Sequence, residues 1–207
     1  MKSHLLSHDP IPDSLKRRYF ILIDPVLNLS HRLKLSPNFF TVLGLVISLV
    51  AAFLLVKGYL RSSAVVILVA GVFDSMDGRL ARGMNRVTKF GALLDSVFDR
   101  YSEIAYFIAM AFFFIRLGWD WTALAVGLAL GGSLMVSYVR ARAEGLGIDC
   151  KVGILQRAAR LLMLGAGALI SAQVLAVVVW IVAVLANVTA AQRIAHVYLS
   201  DKEVRTA

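Results

Sequence analysis

Long apolar runs constrain this chain more than any other feature. Thr41–Val56, Ile104–Ile115 and Val174–Ala186 contain no charged residue and no polar stripe at helical spacing. A helix crossing the roughly 30 Å hydrocarbon core of a bilayer needs about 20 mostly apolar residues. The runs therefore predict an all-α integral membrane protein with six transmembrane helices. Their expected bounds are 38–57, 62–82, 88–116, 120–143, 155–173 and 174–198. Ser36 is a candidate N-cap for the first, with Pro37 at the first helical position. The weakest boundary is Ser171-Ala172-Gln173, between the last two. With 59% hydrophobic and only 17% charged residues, an ordinary soluble domain is excluded.

Ahead of the first span, residues 1–13 are polar and carry Pro10 and Pro12. From Ser14, Leu15, Tyr19, Leu22, Val26, Leu29 and Leu33 recur at steps of four and three. Lys16, Arg17, Arg18, Arg32 and Lys34 lie off that stripe. The pattern predicts an N-terminal amphipathic juxtamembrane helix on the bilayer surface, bent near Pro25. The chain thus divides into a cytoplasmic N-terminus and interfacial helix (1–35), a six-helix domain (36–200) and a tail (201–207). No cleaved signal peptide is expected.

The net charge of +9 suits either nucleic acid or anionic lipid and phosphate. Its basic residues flank apolar helices, which favours the second and excludes nucleic acid as the expected partner. All lysines and arginines except Lys57, Arg61 and Arg116 fall on one side when both termini are placed inside. By the positive-inside rule the termini are cytoplasmic in a multi-pass protein of the cell membrane. Gly127 and Gly131, with Gly165 and Gly167, are read as small residues for helix packing. The lone cysteine, Cys150, excludes an intrachain disulfide and reads as an unreactive thiol. His4, His8, His31 and His196 read as surface residues.

Against this apolar background four carboxylates stand out: Asp74, Asp77, Asp95 and Asp99. An aspartate at membrane depth costs roughly 2.5–3.5 kcal/mol, so a group of four needs a physical reason. Spacings of three and four place each pair on one helical face. Brought together they form a negative nest that divalent cations such as Mg²⁺ or Mn²⁺ would neutralise, leaving coordination sites for substrate phosphates. A cation-transport pathway is the competing reading.

The interleaved residues decide between them. The pattern D-x2-D-G-x2-A-R-x8-G-x3-D-x3-D is met at Asp74, Asp77, Gly78, Ala81, Arg82, Gly91, Asp95 and Asp99. It resembles the signature of the CDP-alcohol phosphotransferases, membrane enzymes that join a CDP-activated alcohol to a second alcohol and release CMP. The resemblance implies two divalent ions held by Asp74, Asp77, Asp95 and Asp99, with Asp99 also the general base. It implies a CDP-lipid site that includes Gly78, Ala81, Arg82 and Gly91. Pro37, Asn38 and Thr41 resemble the family's element at the start of the first span, and Thr88 lies at another nucleotide-contacting position. A homodimer is implied as well.

For the acceptor, the informative residues are Arg140, Arg142, Lys151, Arg157 and Arg160 near the cytoplasmic ends of spans four and five. A phosphorylated acceptor needs such charge, because arginine binds phosphate through charge-assisted, often bidentate, hydrogen bonds. The run from Ser137 to Gly145, and V-G-I-x-x-R-A-x-R-L from Val152 to Leu161, resemble the bacterial phosphatidylinositol phosphate synthases and their archaeal counterparts. In that subfamily Arg140, Arg157 and Arg193 would line an inositol-phosphate pocket, with Arg142, Lys151 and Arg160 as further candidates. Relatives carry acids where this chain has Gln156 and Ala159. Phosphatidylglycerophosphate synthase, whose acceptor is also anionic, is the runner-up. The expected partners are CDP-diacylglycerol (or an archaeal ether analogue), a phosphorylated small alcohol and the bilayer.

Overall fold

The computed structural model describes residues 37–83 and 88–206, with side chains for 38–71 and 88–202. Among these residues all regular structure is helical. The helices are α1 (Pro37–Val56), α2 (Leu60–Gly83), α3 (Lys89–Arg116), α4 (Asp120–Gly145), α5 (Arg157–Ile170) and α6 (Ala172–Thr206). The interfacial helix expected over 14–34 lies outside the described residues.

Among the described residues three helices, α1, α4 and α6, are long and apolar enough to cross a membrane. In α2 the described residues include a shorter apolar stretch, Leu60–Gly71. Phe39, Leu49, Phe53, Ile108, Phe112, Leu128 and Val177 are exposed on the single chain. Such an exterior suits lipid rather than water, as expected of a multi-pass membrane protein.

Whereas α6 runs past its expected end at 198 to Thr206, α5 falls short of its expected bounds at both ends. It has 14 residues, roughly 21 Å at 1.5 Å per residue, short of a full hydrocarbon core. Its N-terminal side is displaced by a loop, residues 146–156. Gly147 and Gly153 there have φ of 81° and 127°, backbone that favours glycine. At the other end Ser171 is extended, and its Oγ accepts the Val174 N–H at 3.2 Å, capping α6. One residue separates α5 from α6.

The packing closes a ring. α1 packs on α2 and α3, α2 on α5, α5 on α6, α6 on α4, and α4 on α3. Each helix thus has two close neighbours, and α3 faces α5 across the middle. Phe107, Met110 and Phe114 of α3 contribute to a shared core with Leu55, Ile67, Val126, Leu164 and Val179. Glycines permit close approach at two seams. A Cβ on Gly165 would stand 2.7 Å from Leu68 Cδ2, between α5 and α2. A Cβ on Gly132 would stand 2.7 Å from Asn187 Nδ2, between α4 and α6. Gly127 and Gly131 instead face open space, so the close α4–α6 contact belongs to their neighbour Gly132.

Candidate active site

The site begins where α1 and α3 start. Thr88 caps α3, its Oγ1 accepting the Gly91 N–H at 2.9 Å. A Cβ at Gly91 would lie 3.0 Å from that oxygen and 3.1 Å from Asn38 Oδ1. Asn38, Thr88 and Gly91, all expected at the nucleotide, therefore meet at one point, where a side chain at Gly91 would have to push these two neighbours aside.

One turn along each helix, Thr41 of α1 and Asp95 of α3 line a narrow cleft. Gly44, Ser48, Ala70, Gly71, Asp99, Tyr106 and Arg157 also face it. Asp99 is mostly buried and forms an ion pair with Arg157 Nη1 at 2.7 Å. Arg100 Nη1 approaches the same carboxylate oxygen at 3.4 Å and donates to Ser96 O at 3.1 Å. Asp74, Asp77, Gly78, Ala81 and Arg82 sit on the helical backbone of α2. Their side chains, and that of Pro37, lie outside the described residues. Among the described residues no group of three or more potential metal ligands is present. Asp95 and Asp99 supply hard carboxylate oxygens one turn apart in the cleft, a donor type that fits Mg²⁺ or Mn²⁺.

Beside the cleft lies a polar cavity of about 340 Å³. Its charged lining is basic throughout among the described residues: Arg100, Arg140, Lys151, Arg157, Arg160 and Arg193. Arg157 belongs to both spaces. Arg140 Nε bonds Glu144 Oε1 at 2.8 Å on the exposed side of α4. Lys151 bonds Asp149 at 2.9 Å in the loop, and that bond holds the Asp149 carboxyl below its ordinary value. Arg193 is buried and donates to Val136 O at 2.6 Å and Val152 O at 2.8 Å, tying the loop to α4 and α6.

Two of the sequence candidates sit differently. Arg142 is exposed on α4 and is not among the residues lining the cavity. Arg160 borders it but is fully buried against Glu103. Sequence reasoning passed over Arg100 and Glu103. Glu103 carried a usable signal, a carboxylate four residues beyond Asp99 in an otherwise apolar run.

The sequence profile of CDP-alcohol phosphatidyltransferases matches residues 34–191. The chain belongs to that family. Archaetidylinositol phosphate synthase of Methanothermobacter thermautotrophicus is 40% identical over 148 residues, 71% of this chain and 71% of the relative. The crystal structure of Mycobacterium tuberculosis phosphatidylinositol phosphate synthase with CDP-DAG bound matches this fold with a TM-score of 0.80. Identity is 31%, over 85% of this chain and 93% of that one. The same mycobacterial enzyme in complex with manganese and citrate matches with a TM-score of 0.79 at 31% identity, over 85% and 88%. As a CDP-alcohol phosphatidyltransferase the chain is an enzyme of phospholipid synthesis, and its aspartate cleft lies where α1, α2, α3 and α5 come together.

Proposed function

We propose that this enzyme transfers the phosphatidyl group of CDP-diacylglycerol to a hydroxyl of inositol phosphate, giving phosphatidylinositol phosphate and CMP. One observation carries the reading: Arg157 joins the aspartate cleft to a cavity lined by six cationic side chains. A neutral alcohol has no use for that charge, whereas a phosphate at Arg140, Arg157 and Arg193, with Lys151 at the rim, would be bound by it. The relatives support the choice, since they are inositol-phosphate enzymes and one binds CDP-DAG.

In the proposed reaction the acceptor hydroxyl gives its proton to Asp99 as its oxygen bonds to the lipid-side phosphorus. The bond from that phosphorus to the CMP oxygen breaks, and CMP leaves. Asn38, Thr41, Thr88 and Gly91 would position the nucleotide, with Pro37, Gly78, Ala81 and Arg82 completing its site. Asp74, Asp77, Asp95 and Asp99 would hold two divalent ions, Mg²⁺ or Mn²⁺, which supply neutralisation of the pyrophosphate when bound. Manganese in the mycobacterial relative supports this assignment. Removing Arg157 from Asp99 is part of the same event, because one guanidinium cannot hold the base and the incoming phosphate equally well.

The reading extends to topology: six spans behind an N-terminal interfacial helix, both termini and the site on the cytoplasmic side of the cell membrane, and a homodimer. The experiment is a CMP-release assay with CDP-diacylglycerol, Mn²⁺ or Mg²⁺ and four acceptors in parallel. Inositol phosphate should exceed free inositol, serine and glycerol phosphate. Preference for glycerol phosphate would reassign the enzyme as a phosphatidylglycerophosphate synthase. No CMP with any acceptor from folded protein would sink the reading.

A further inference from the structure

We propose that Glu103, Arg160 and Thr189 are positioning residues for acceptor binding: they fix the peptide that leads into Arg157. The proposal rests on the phosphorylated-acceptor reading above and assigns Arg160 a different task from phosphate contact.

Glu103 lies one turn beyond Asp99 on α3, and Arg160 lies three residues beyond Arg157 on α5. The Asp99–Arg157 and Glu103–Arg160 pairs are therefore stacked on the same two helix faces. The second is fully buried, with Arg160 Nε and Nη2 at 3.0 and 2.7 Å from Glu103 Oε1. The remaining nitrogen, Nη1, donates to Leu155 O at 3.3 Å. Every nitrogen of this guanidinium is engaged, which leaves it poorly placed to bind phosphate.

Leu155 is then held from a second direction, since its N–H donates to Thr189 Oγ1 of α6 at 3.1 Å. Its side chain is buried. A Cβ on Gly153 would stand 2.5 Å from Thr189 Cγ2, so the loop lies directly against that threonine. Both polar groups of the residue two before Arg157 are thus gripped, one from α6 and one through Arg160 from α3.

The arrangement matters because α3 and α5 are not close neighbours in the ring. Side chains, not backbone packing, set how Arg157 stands relative to Asp99. A buried ion pair is a weak source of net stability but a directional one, and the planar guanidinium fixes orientation. Displacing Arg157 would weaken its hold on the acceptor phosphate, which reads as a higher acceptor KM.

The test uses the full-length enzyme in lipid nanodiscs with Mn²⁺, measuring initial rates against inositol phosphate and against CDP-diacylglycerol separately. Thr189→Val should raise the acceptor KM roughly tenfold and leave the CDP-diacylglycerol KM unchanged, while Thr189→Ser, which restores the hydroxyl, stays near wild type. The double variant Glu103→Met/Arg160→Met removes both charges at once and leaves neither buried alone. It should keep its unfolding temperature yet show the same selective rise in acceptor KM. A folded double variant with unchanged acceptor KM, or both KM values rising together, would overturn the proposal. Should the double variant not fold, the Thr189 pair decides. A wild-type enzyme with no preference for inositol phosphate over free inositol would defeat the acceptor reading. A clear wild-type preference with unaffected variants defeats the positioning role alone.

Discussion

Two ion pairs cross the ring between the same helices, and burial gives them opposite characters. Asp99–Arg157 borders open space on both sides, with side chains 15% and 20% exposed. Glu103–Arg160, one turn on, has 1% and 0%. A pair facing a cavity can exchange partners when a ligand arrives, because water or phosphate can solvate either charge as it separates. A sealed pair cannot, since each charge would be left in a medium that solvates it badly. The lesson is that two chemically similar contacts can divide the work, one changing partner during turnover and the other holding the frame.

The sharpest way to break this comparison is to remove a charge from each pair in turn. Asp99→Asn should lower kcat by about 10²–10⁴, the usual worth of a positioned general base, while the protein stays folded. CMP release measures the first and thermal unfolding the second. Full activity in this variant would place the base elsewhere. Glu103→Ala should reverse the pattern, destabilising the fold by about 3–5 kcal/mol because Arg160 is left buried without its carboxylate. An unfolding temperature unchanged from wild type would show that Arg160 finds water or another acceptor.

A smaller effect refines the open pair. Arg157→Ala should raise the acceptor KM by roughly 10–100-fold, on the scale of about 1.5–3 kcal/mol for hydrogen bonds to a charged group. The CDP-diacylglycerol KM should move much less. An unchanged acceptor KM would remove Arg157 from the acceptor site and leave its contact with Asp99 as its only role.

Much of the frame was legible in the chain, for a physical reason. Apolar runs such as Thr41–Val56 and Val174–Ala186 are long enough to demand helices, and the helices found there need no tertiary information to be expected. The fifth helix was expected from Leu155 because nothing local separates that apolar residue from the helix, although Leu155, like Val152, belongs to the loop. Their backbone is instead tied to α6 through Thr189 and Arg193, residues far along the sequence. The phase of a helix was equally hidden. Gly127 and Gly131 have the motif spacing, but Gly132 points at Asn187. Arg157 and Arg160 look alike as residues, and only Glu103, 57 positions away, separates their surroundings. Long-range pairing of charges leaves no local mark on composition or spacing.

The smallest effect belongs to a third ion pair, Asp149–Lys151, which is exposed on both sides at the rim of the basic cavity. It extends the comparison to a contact that is solvated on both sides from the start. Lys151 holds the Asp149 carboxyl below its ordinary value. A depressed carboxylate contributes stability above its unfolded pKa and loses that contribution as pH falls through its folded one. From pH 5 to 8 the group is therefore ionised throughout, and its contribution is constant. Asp149→Asn should give an unfolding temperature that runs parallel to wild type over this range, the two meeting only in strong acid, where the wild-type pair is lost as well. The acceptor KM should fall slightly, because Lys151 then faces the cavity without its carboxylate. A rise in acceptor KM would mean that Asp149 orders the loop rather than tempers its charge. The loop's other ties would then be insufficient, including the contact of His196 Nε2 with the Asp149 carbonyl at 3.0 Å, which the substitution leaves in place.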